Sequence, residues 1–345
     1  MSVPALVEEL TPEWLSEALG RRVTAVRSEP VGTGQIGTCH RLHLEGTGVP
    51  ATVLAKLPAV DPAARELLAG VYRTEALFYA EVAPTVAIRV PACHHVTAPG
   101  ASGDFVLLLE DLAPAVQGDQ LAGCTVDQAR DAVVNLAGLH GPRWGDSTLL
   151  DLDGITATDA EGARLLAELY GPAAEIFLDG LGHLLAPEDH GTLRDCVAVT
   201  EAWALARSER VGLVHGDYRL DNLLFPPGGG PGSVAVDWQT LSLGLPARDL
   251  AYVLGTGLAV AERRAHERDL VASYHSALEG YGVAAYPCDL AWDDYRFAMP
   301  QGPLVAVFGC AYGTRTDRGD LMFAAMVTRA CAAIRDLDSL ALAAG

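Results

Sequence analysis

The chain has 345 residues, half of them apolar and a fifth charged, with a formal net charge of −20. This length exceeds most single-core domains and predicts two lobes. The acidic balance excludes a protein that binds nucleic acid through a basic face, and no apolar run reaches the roughly 18 residues that a membrane span needs.

The first stretch, MSVPALVEELTPEWL, is acidic and lacks a basic-then-apolar leader pattern, so a cytoplasmic protein is expected. Seven cysteines, scattered and without a C-x-x-C pair, predict reduced and mostly buried thiols rather than a disulfide frame or zinc site. RRVTAVRSEPV and TCHRLHLEG alternate as half-buried strands. Between them, VGTGQIGT sets Gly32, Gly34 and Gly37 in G-x-G-x-x-G spacing. Glycines let backbone N–H groups approach phosphate closely, but a dinucleotide-binding turn and a simple hairpin fit the same spacing. A dinucleotide turn needs a helix directly after the loop and an acidic residue about 20 positions on. Here a strand follows, and the residue at that distance is Lys56.

ATVLAKL carries Lys56, the one lysine in a chain with 24 basic residues. Strand, glycine loop, strand, turn and lysine-bearing strand is the order of a kinase nucleotide lobe. Asp61 and Pro62 predict a helix start, and the helix runs to about Pro84. Along it Leu68, Val71, Tyr72, Glu75, Phe78, Tyr79 and Val82 form one apolar stripe with Glu75 in the middle. A carboxylate turned into a core is costly unless a cation or donors meet it. Lys56 is the candidate partner; the alternative puts Glu75 at the edge of the stripe, reaching water. A slim ammonium fits between a helix carboxylate and nucleotide phosphates, where a planar guanidinium imposes its own geometry.

AIRVPACHHV and DFVLLLEDL read as two further strands, with Cys93, His94 and His95 structural. A connector follows at about 110–120. Helical patterns then dominate over roughly 126–140, 157–178, 190–209, 246–258, 261–282, 290–312 and 318–343. The expected division is a β-rich nucleotide-binding lobe at about 1–110 and a helical catalytic and substrate-binding lobe at about 111–345.

One irregular stretch interrupts the helices. In LVHGDYRLDNLLF, Asp217 and Asn222 stand in D-x-x-x-x-N spacing after His215 and Gly216, and SVAVDWQ then ends an apolar strand at Asp237. Phosphoryl transfer needs a carboxylate to orient and deprotonate the acceptor hydroxyl, and hard oxygen ligands for Mg²⁺. Asp217 fits the first role; Asn222 and Asp237 fit the second. Arg219 either neutralises charge on the moving phosphoryl group or is a surface salt-bridge arginine. A metal-dependent hydrolase that uses His215 and Asp217 as ligands needs a second His/Asp cluster, and none appears at ligand spacing.

Together, H-G-D-x-x-x-x-N, D-W-Q and GLPARDLAYVLG resemble the aminoglycoside phosphotransferase and choline kinase superfamily, closest to its bacterial ecdysteroid-kinase-like branch, over about Gly32 to Leu254. The resemblance implies an α+β, protein-kinase-like bilobal fold, with a small β-rich N-lobe containing one helix and a larger, mostly helical C-lobe. It implies ATP- or GTP-dependent O-phosphorylation of a small molecule with Mg²⁺. By position, Asp217 matches the catalytic aspartate, Asn222 and Asp237 the magnesium ligands, and Lys56 with Glu75 the phosphate-holding pair. LLLEDL matches the hinge, where the adenine edge would meet the Glu110 carbonyl and the Leu112 amide. Asp249 matches a buried aspartate that braces the catalytic loop, and His215 is grouped with it as support.

Gln239 departs from the pattern, because many relatives carry an acidic residue there. The few residues between Asp237 and the GLPARDL helix leave no room for a protein-kinase activation segment. Acceptors consistent with the resemblance are aminoglycosides, macrolides, nucleoside antibiotics, and choline-like or sterol-like alcohols; an antibiotic or other natural product is the leading expectation. A catalytically silent nucleotide-binding module is the reading from another class. The acidic charge tilts towards a cationic acceptor, though the sequence places none of Asp119, Asp293 and Asp294 in a pocket. AWDDYRFAMPQGP is a candidate contributor to the acceptor wall.

Overall fold

The computed structural model describes residues 3–32, 36–100 and 102–343. The chain divides into two compact units: Met1–Thr85 with Val90–Pro114 and Val236–Leu241, and Val86–Arg89 with Ala115–Ala235 and Ser242–Gly345.

The first unit begins with a helix absent from the sequence expectations, α1 (Pro12–Leu19). Its signals are local: the Thr11 side chain accepts from Trp14 N at 3.3 Å, Pro12 occupies the first turn, and Gly20 ends it at φ 61°. Five antiparallel strands follow, β1 (Val23–Pro30), β2 (Gly37–Gly46), β3 (Thr52–Pro58), β4 (Cys93–Thr97) and β5 (Val106–Glu110), ordered β1-β2-β3-β5-β4. Successive side chains of a strand point to opposite faces. On β3, Val53, Ala55 and Leu57 pack with Leu10, Leu15, Leu42 and Leu108 in one core, so Lys56 faces the other side of the central strand. AIRVPACHHV becomes a strand only from Cys93, since Pro91 has no N–H for the ladder.

The single helix expected over 61–84 is broken. Asp61 caps α2 (Pro62–Leu67), accepting from Ala64 N at 2.8 Å. Leu68 then leaves helical geometry (φ −91°, ψ 2°) before α3 (Ala69–Leu77), a π turn at Phe78–Val82 and a 3₁₀ turn at Ala83–Thr85. After the break, the Tyr72 hydroxyl donates to Ile36 O at 2.5 Å and accepts from Ala59 N at 3.0 Å. These bonds fix α3 to the ends of β2 and β3.

The second unit contains α4 (Val126–His140), α5 (Ala160–Leu181), α6 (Pro187–Leu205), α7 (Ala247–Gly257), α8 (Val260–Gly280), α9 (Cys288–Phe297), α10 (Gln301–Tyr312), α11 (Asp317–Asp336) and α12 (Ser339–Ala343). It also holds two small antiparallel sheets: β6 (Val116–Gln117), β8 (Leu223–Phe225) and β9 (Val234–Ala235) in the order β6-β8-β9, and β7 (Gly212–Val214) paired with β10 (Ser242–Gly244). Residues 215–222 run between β7 and β8. The helices expected over 290–312 and 318–343 are each split in two. Pro300 interrupts the first because it lacks an N–H, and Asp338, at φ 53°, interrupts the second.

A small-sheet first unit and a mostly helical second unit give the mixed α+β architecture expected. Among the described residues, no helix is long and apolar enough to cross a membrane. All seven cysteines are free, but only Cys196, Cys310 and Cys331 are buried, fewer than expected; Cys93 and Cys288 are exposed.

Candidate active site

In the first unit, Lys56 Nζ lies 2.8 Å from Glu75 Oε1, 2.7 Å from Glu75 Oε2 and 3.2 Å from Asp237 Oδ1. Glu75 is only 1% exposed. Its second partner is Gln239, whose Nε2 donates to Oε2 at 3.3 Å. The carboxylate in the apolar stripe is therefore met by a cation and an amide instead of reaching water. Burial alone would lower the pKa of Lys56, but Glu75 and then Asp237 outweigh it and raise it above the ordinary lysine value. The ammonium stays charged.

Asp237 itself sits at φ 68°, a left-handed conformation that aspartate tolerates better than most residues and that concentrates at functional sites. Next to it, Trp238 stacks on Phe78 of the π turn with ring centroids 3.6 Å apart and planes 4° from parallel. This contact anchors the 236–241 segment to the end of α3. Of the loop glycines, Gly32 has φ +71°, and a Cβ on Gly37 would meet Leu57 O at 2.4 Å, so a larger side chain is excluded at the start of β2. Gly34 lies outside the described residues. At the end of β5, Glu110 N donates to Ala92 O at 2.8 Å and Glu110 Oε2 accepts from Ala92 N at 3.1 Å. Leu112 follows, partly exposed.

The second unit holds the other set. Asp217 is gripped from three sides: Tyr252 Oη donates to Oδ1 at 2.9 Å, Asn222 Nδ2 donates to Oδ2 at 2.9 Å, and Arg219 Nε lies 3.1 Å from the carboxylate. Burial and then the Asp217 charge push the Tyr252 phenol well above the ordinary tyrosine value, so it remains a donor. Asn222 also spends Nδ2 on Asp217 O at 2.9 Å, which leaves its amide oxygen as an acceptor. Arg219 bridges to Asp221 at 3.1 Å.

Asp249, fully buried, accepts from the backbone N–H groups of His215 (2.6 Å) and Gly216 (3.0 Å), and His140 Nε2 lies 3.4 Å from it. His215 Nδ1 in turn accepts from Asp217 N at 3.3 Å. The loop is thus held by its own backbone donors on one buried carboxylate. Gln120 adds a further tie, accepting from Leu220 N at 2.8 Å and donating to Thr256 O at 3.1 Å.

The sequence reading missed Tyr252, Gln120, His140 and Asp221. A signal for Tyr252 existed. Asp249, Tyr252 and Thr256 are polar residues at helical spacing inside an otherwise apolar run, one buried polar stripe on α7. Asp294, by contrast, is buried against Arg207, Arg210 and Tyr286. The AWDDYRFAMPQGP segment therefore carries an interior ion cluster.

The sequence profile of the phosphotransferase enzyme family (APH) matches residues 61–287. Among solved structures, a candidate aminoglycoside phosphotransferase from Ralstonia eutropha JMP134 is similar with TM-score 0.59 at 16% identity, covering 94% of this chain and 97% of that one. Choline kinase from Cryptosporidium parvum Iowa II gives 0.58 at 10% identity, covering 97% and 95%. Plasmodium vivax ethanolamine kinase gives 0.56 at 10% identity, covering 96% and 86%. A 48-residue segment is 48% identical to mouse (Mus musculus) acyl-CoA dehydrogenase family member 10, 14% of this chain and 4% of that protein's length. With a family match over most of its length and the fold of these kinases, the chain belongs to the phosphotransferase enzyme family.

Proposed function

We propose that this chain is a small-molecule kinase that transfers the γ-phosphate of ATP or GTP to a hydroxyl, with an antibiotic or other natural product as the acceptor and the cytoplasm as its compartment. The observation that carries the reading is the setting of Asp217, a carboxylate oriented by Tyr252, Asn222 and Arg219 on a loop braced by Asp249. Such a group orients and deprotonates an attacking hydroxyl. In this reading Lys56, kept charged by Glu75, holds the nucleotide phosphates, and the hinge at Glu110 and Leu112 receives the base. Each donor taken by itself suits magnesium: Asn222, whose Nδ2 is spent on Asp217, offers its amide oxygen, and Asp237 offers a carboxylate that is 42% exposed, both hard oxygen ligands. When bound, the ion neutralises phosphate charge.

The test is nucleoside diphosphate release by the purified chain with Mg²⁺ and ATP or GTP, across hydroxylated antibiotics and choline-like and sterol-like alcohols. Asp217→Asn should cut turnover by about 100- to 10,000-fold, the span of a general base. Nucleotide binding without turnover on any alcohol would identify a silent nucleotide-binding module instead.

A further inference from the structure

We propose that Arg41 and Asp111 form a clamp that positions the base of the nucleotide, and so set a preference for a purine over a pyrimidine triphosphate. This rests on reading Glu110 and Leu112 as the place where the base docks. Asp111 stands between them in the chain.

The sheet dictates which side chains share a face. Leu42 and Leu44 of β2 lie in the core with Val53, Ala55 and Leu57 of β3. Alternation then turns Arg41 and His43 to the opposite face, the one that carries Lys56. Arg41 is in register with Leu54, and Val53 with Glu110. The order β2-β3-β5 leaves one strand between Arg41 and the end of β5, a separation of roughly 10 Å at two strand spacings. A long side chain lying over β3 spans it. Arg41 Nε donates to Asp111 Oδ2 at 2.6 Å, and Nη2 donates to Oδ1 at 3.2 Å. The third nitrogen, Nη1, donates to Glu29 Oε1 at 3.1 Å, which His43 Nε2 also approaches at 3.3 Å.

This is a largely desolvated pair: the Asp111 side chain is 5% exposed and that of Arg41 27%. A guanidinium forked onto both oxygens of a carboxylate fixes direction as well as distance. Asp111 Oδ1 also accepts from Ala113 N at 3.2 Å, a side-chain turn that straps the backbone on both sides of Leu112. On the other flank, Glu110 exchanges two bonds with Ala92, at 2.8 and 3.1 Å. Glu110 and Leu112 are thus each held by a neighbour.

All three guanidinium nitrogens face carboxylates, so Arg41 acts on the base through the backbone, as a positioning residue. A backbone donor and acceptor fixed before the base arrives need no ordering when it docks, and the gain appears in affinity for the base alone. Lys56 serves the triphosphate, which every nucleotide shares.

The experiment titrates the full chain, with Mg²⁺, with its preferred purine triphosphate and with CTP, by calorimetry. The two ligands share the triphosphate and differ in the base. The native chain should bind the purine nucleotide more tightly. Arg41→Ala should weaken purine binding about tenfold and CTP binding less than about twofold. Arg41→Lys, which keeps the charge without the fork, should fall between. Asp111→Asn keeps the Ala113 bond, loses the charge and should cost about threefold for the purine only; it carries the test if Arg41→Ala does not fold. Equal losses for the two nucleotides, an unchanged preference in the folded variants, or a native chain that binds both alike overturns the inference and leaves the kinase reading intact. A native chain that binds neither nucleotide overturns the kinase reading and this inference with it.

Discussion

At the scale of single residues, the surroundings of Glu75 explain why an amide suits position 239. The Gln239 amide donates to Glu75, a carboxylate that already shares Lys56 with Asp237. Gln239→Glu would set a second buried carboxylate 3.3 Å from the first around one ammonium. Like charges that close cannot both ionise cheaply, so the new carboxyl would have its pKa raised in the folded state. A raised carboxyl pKa costs nothing below the unfolded value and destabilises as pH climbs towards and past the folded one. The expected loss is about 2–4 kcal/mol at pH 8 and distinctly less at pH 5. Urea unfolding at both pH values, with a chelator present to exclude metal bridging, measures it; an equal loss at both would show that the amide's shape mattered rather than its charge.

The partnership behind that prediction was half legible in the sequence. Lys56 stood out because every other basic residue is arginine, and Glu75 because it interrupts an apolar stripe. Gln239 had no such signal, since its role depends on a hydrogen bond across 164 residues of chain.

At the scale of elements, glycine placement separates packing from propensity. In α4, a Cβ on Gly138 would meet backbone atoms of Ile88 and Ala87 at 2.7 and 2.8 Å, beside a bond from Ala87 N to Gly138 O. Backbone cannot step aside as a side-chain tip can. Alanine there should lose about 1–3 kcal/mol through overpacking, despite a gain of up to about 1 kcal/mol in helix propensity. Gly191 in α6 has open space around its would-be Cβ, so Gly191→Ala should show the propensity gain alone. Opposite signs in chemical denaturation confirm the contrast, and two gains would mean the 86–89 segment yields freely.

Elements with local start signals were legible: Asp61 caps α2, and the α4 and α7 spans came within a few residues of expectation. Breaks were not. Pro300 is a helix stop that the apolar pattern on either side masks. The turn at Leu68 has no residue-type signature, and Asp338 offers only a weak one, since aspartate tolerates the left-handed region without requiring it.

At the scale of the whole molecule, two electrostatic effects oppose each other as pH changes. Net charge of −20 repels itself at neutral pH and destabilises the compact state. Individual carboxylates do the reverse. The Thr148 hydroxyl and N–H, then Arg143, lower Asp146 to about 2. Burial pushes Asp111 and Asp336 up, but Arg41 with the Ala113 N–H and Thr52 more than offsets it at the first, and Arg264 with Arg263 at the second, so both are lowered; Asp119 is lowered chiefly by the Ala122 N–H. Groups with depressed folded pKa values contribute stability that is fully present above the unfolded value and is lost as pH falls through the folded one.

Cooling the charge and keeping the pairs are compatible only in a middle window. The melting temperature at low salt should therefore hold or rise from pH 8 to about pH 5, where carboxylates begin to protonate. It should then fall steeply from about pH 4 towards pH 2, as Asp146 and its counterparts titrate. Salt separates the two effects. Raising ionic strength to about 0.1 M shortens the screening length to about 10 Å, which weakens diffuse repulsion more than 3 Å ion pairs. Added salt should raise the melting temperature at pH 8 and change it little at pH 5. A fall with salt at pH 8 would mean that the arginine–carboxylate pairs, and not self-repulsion, dominate the stability of this chain.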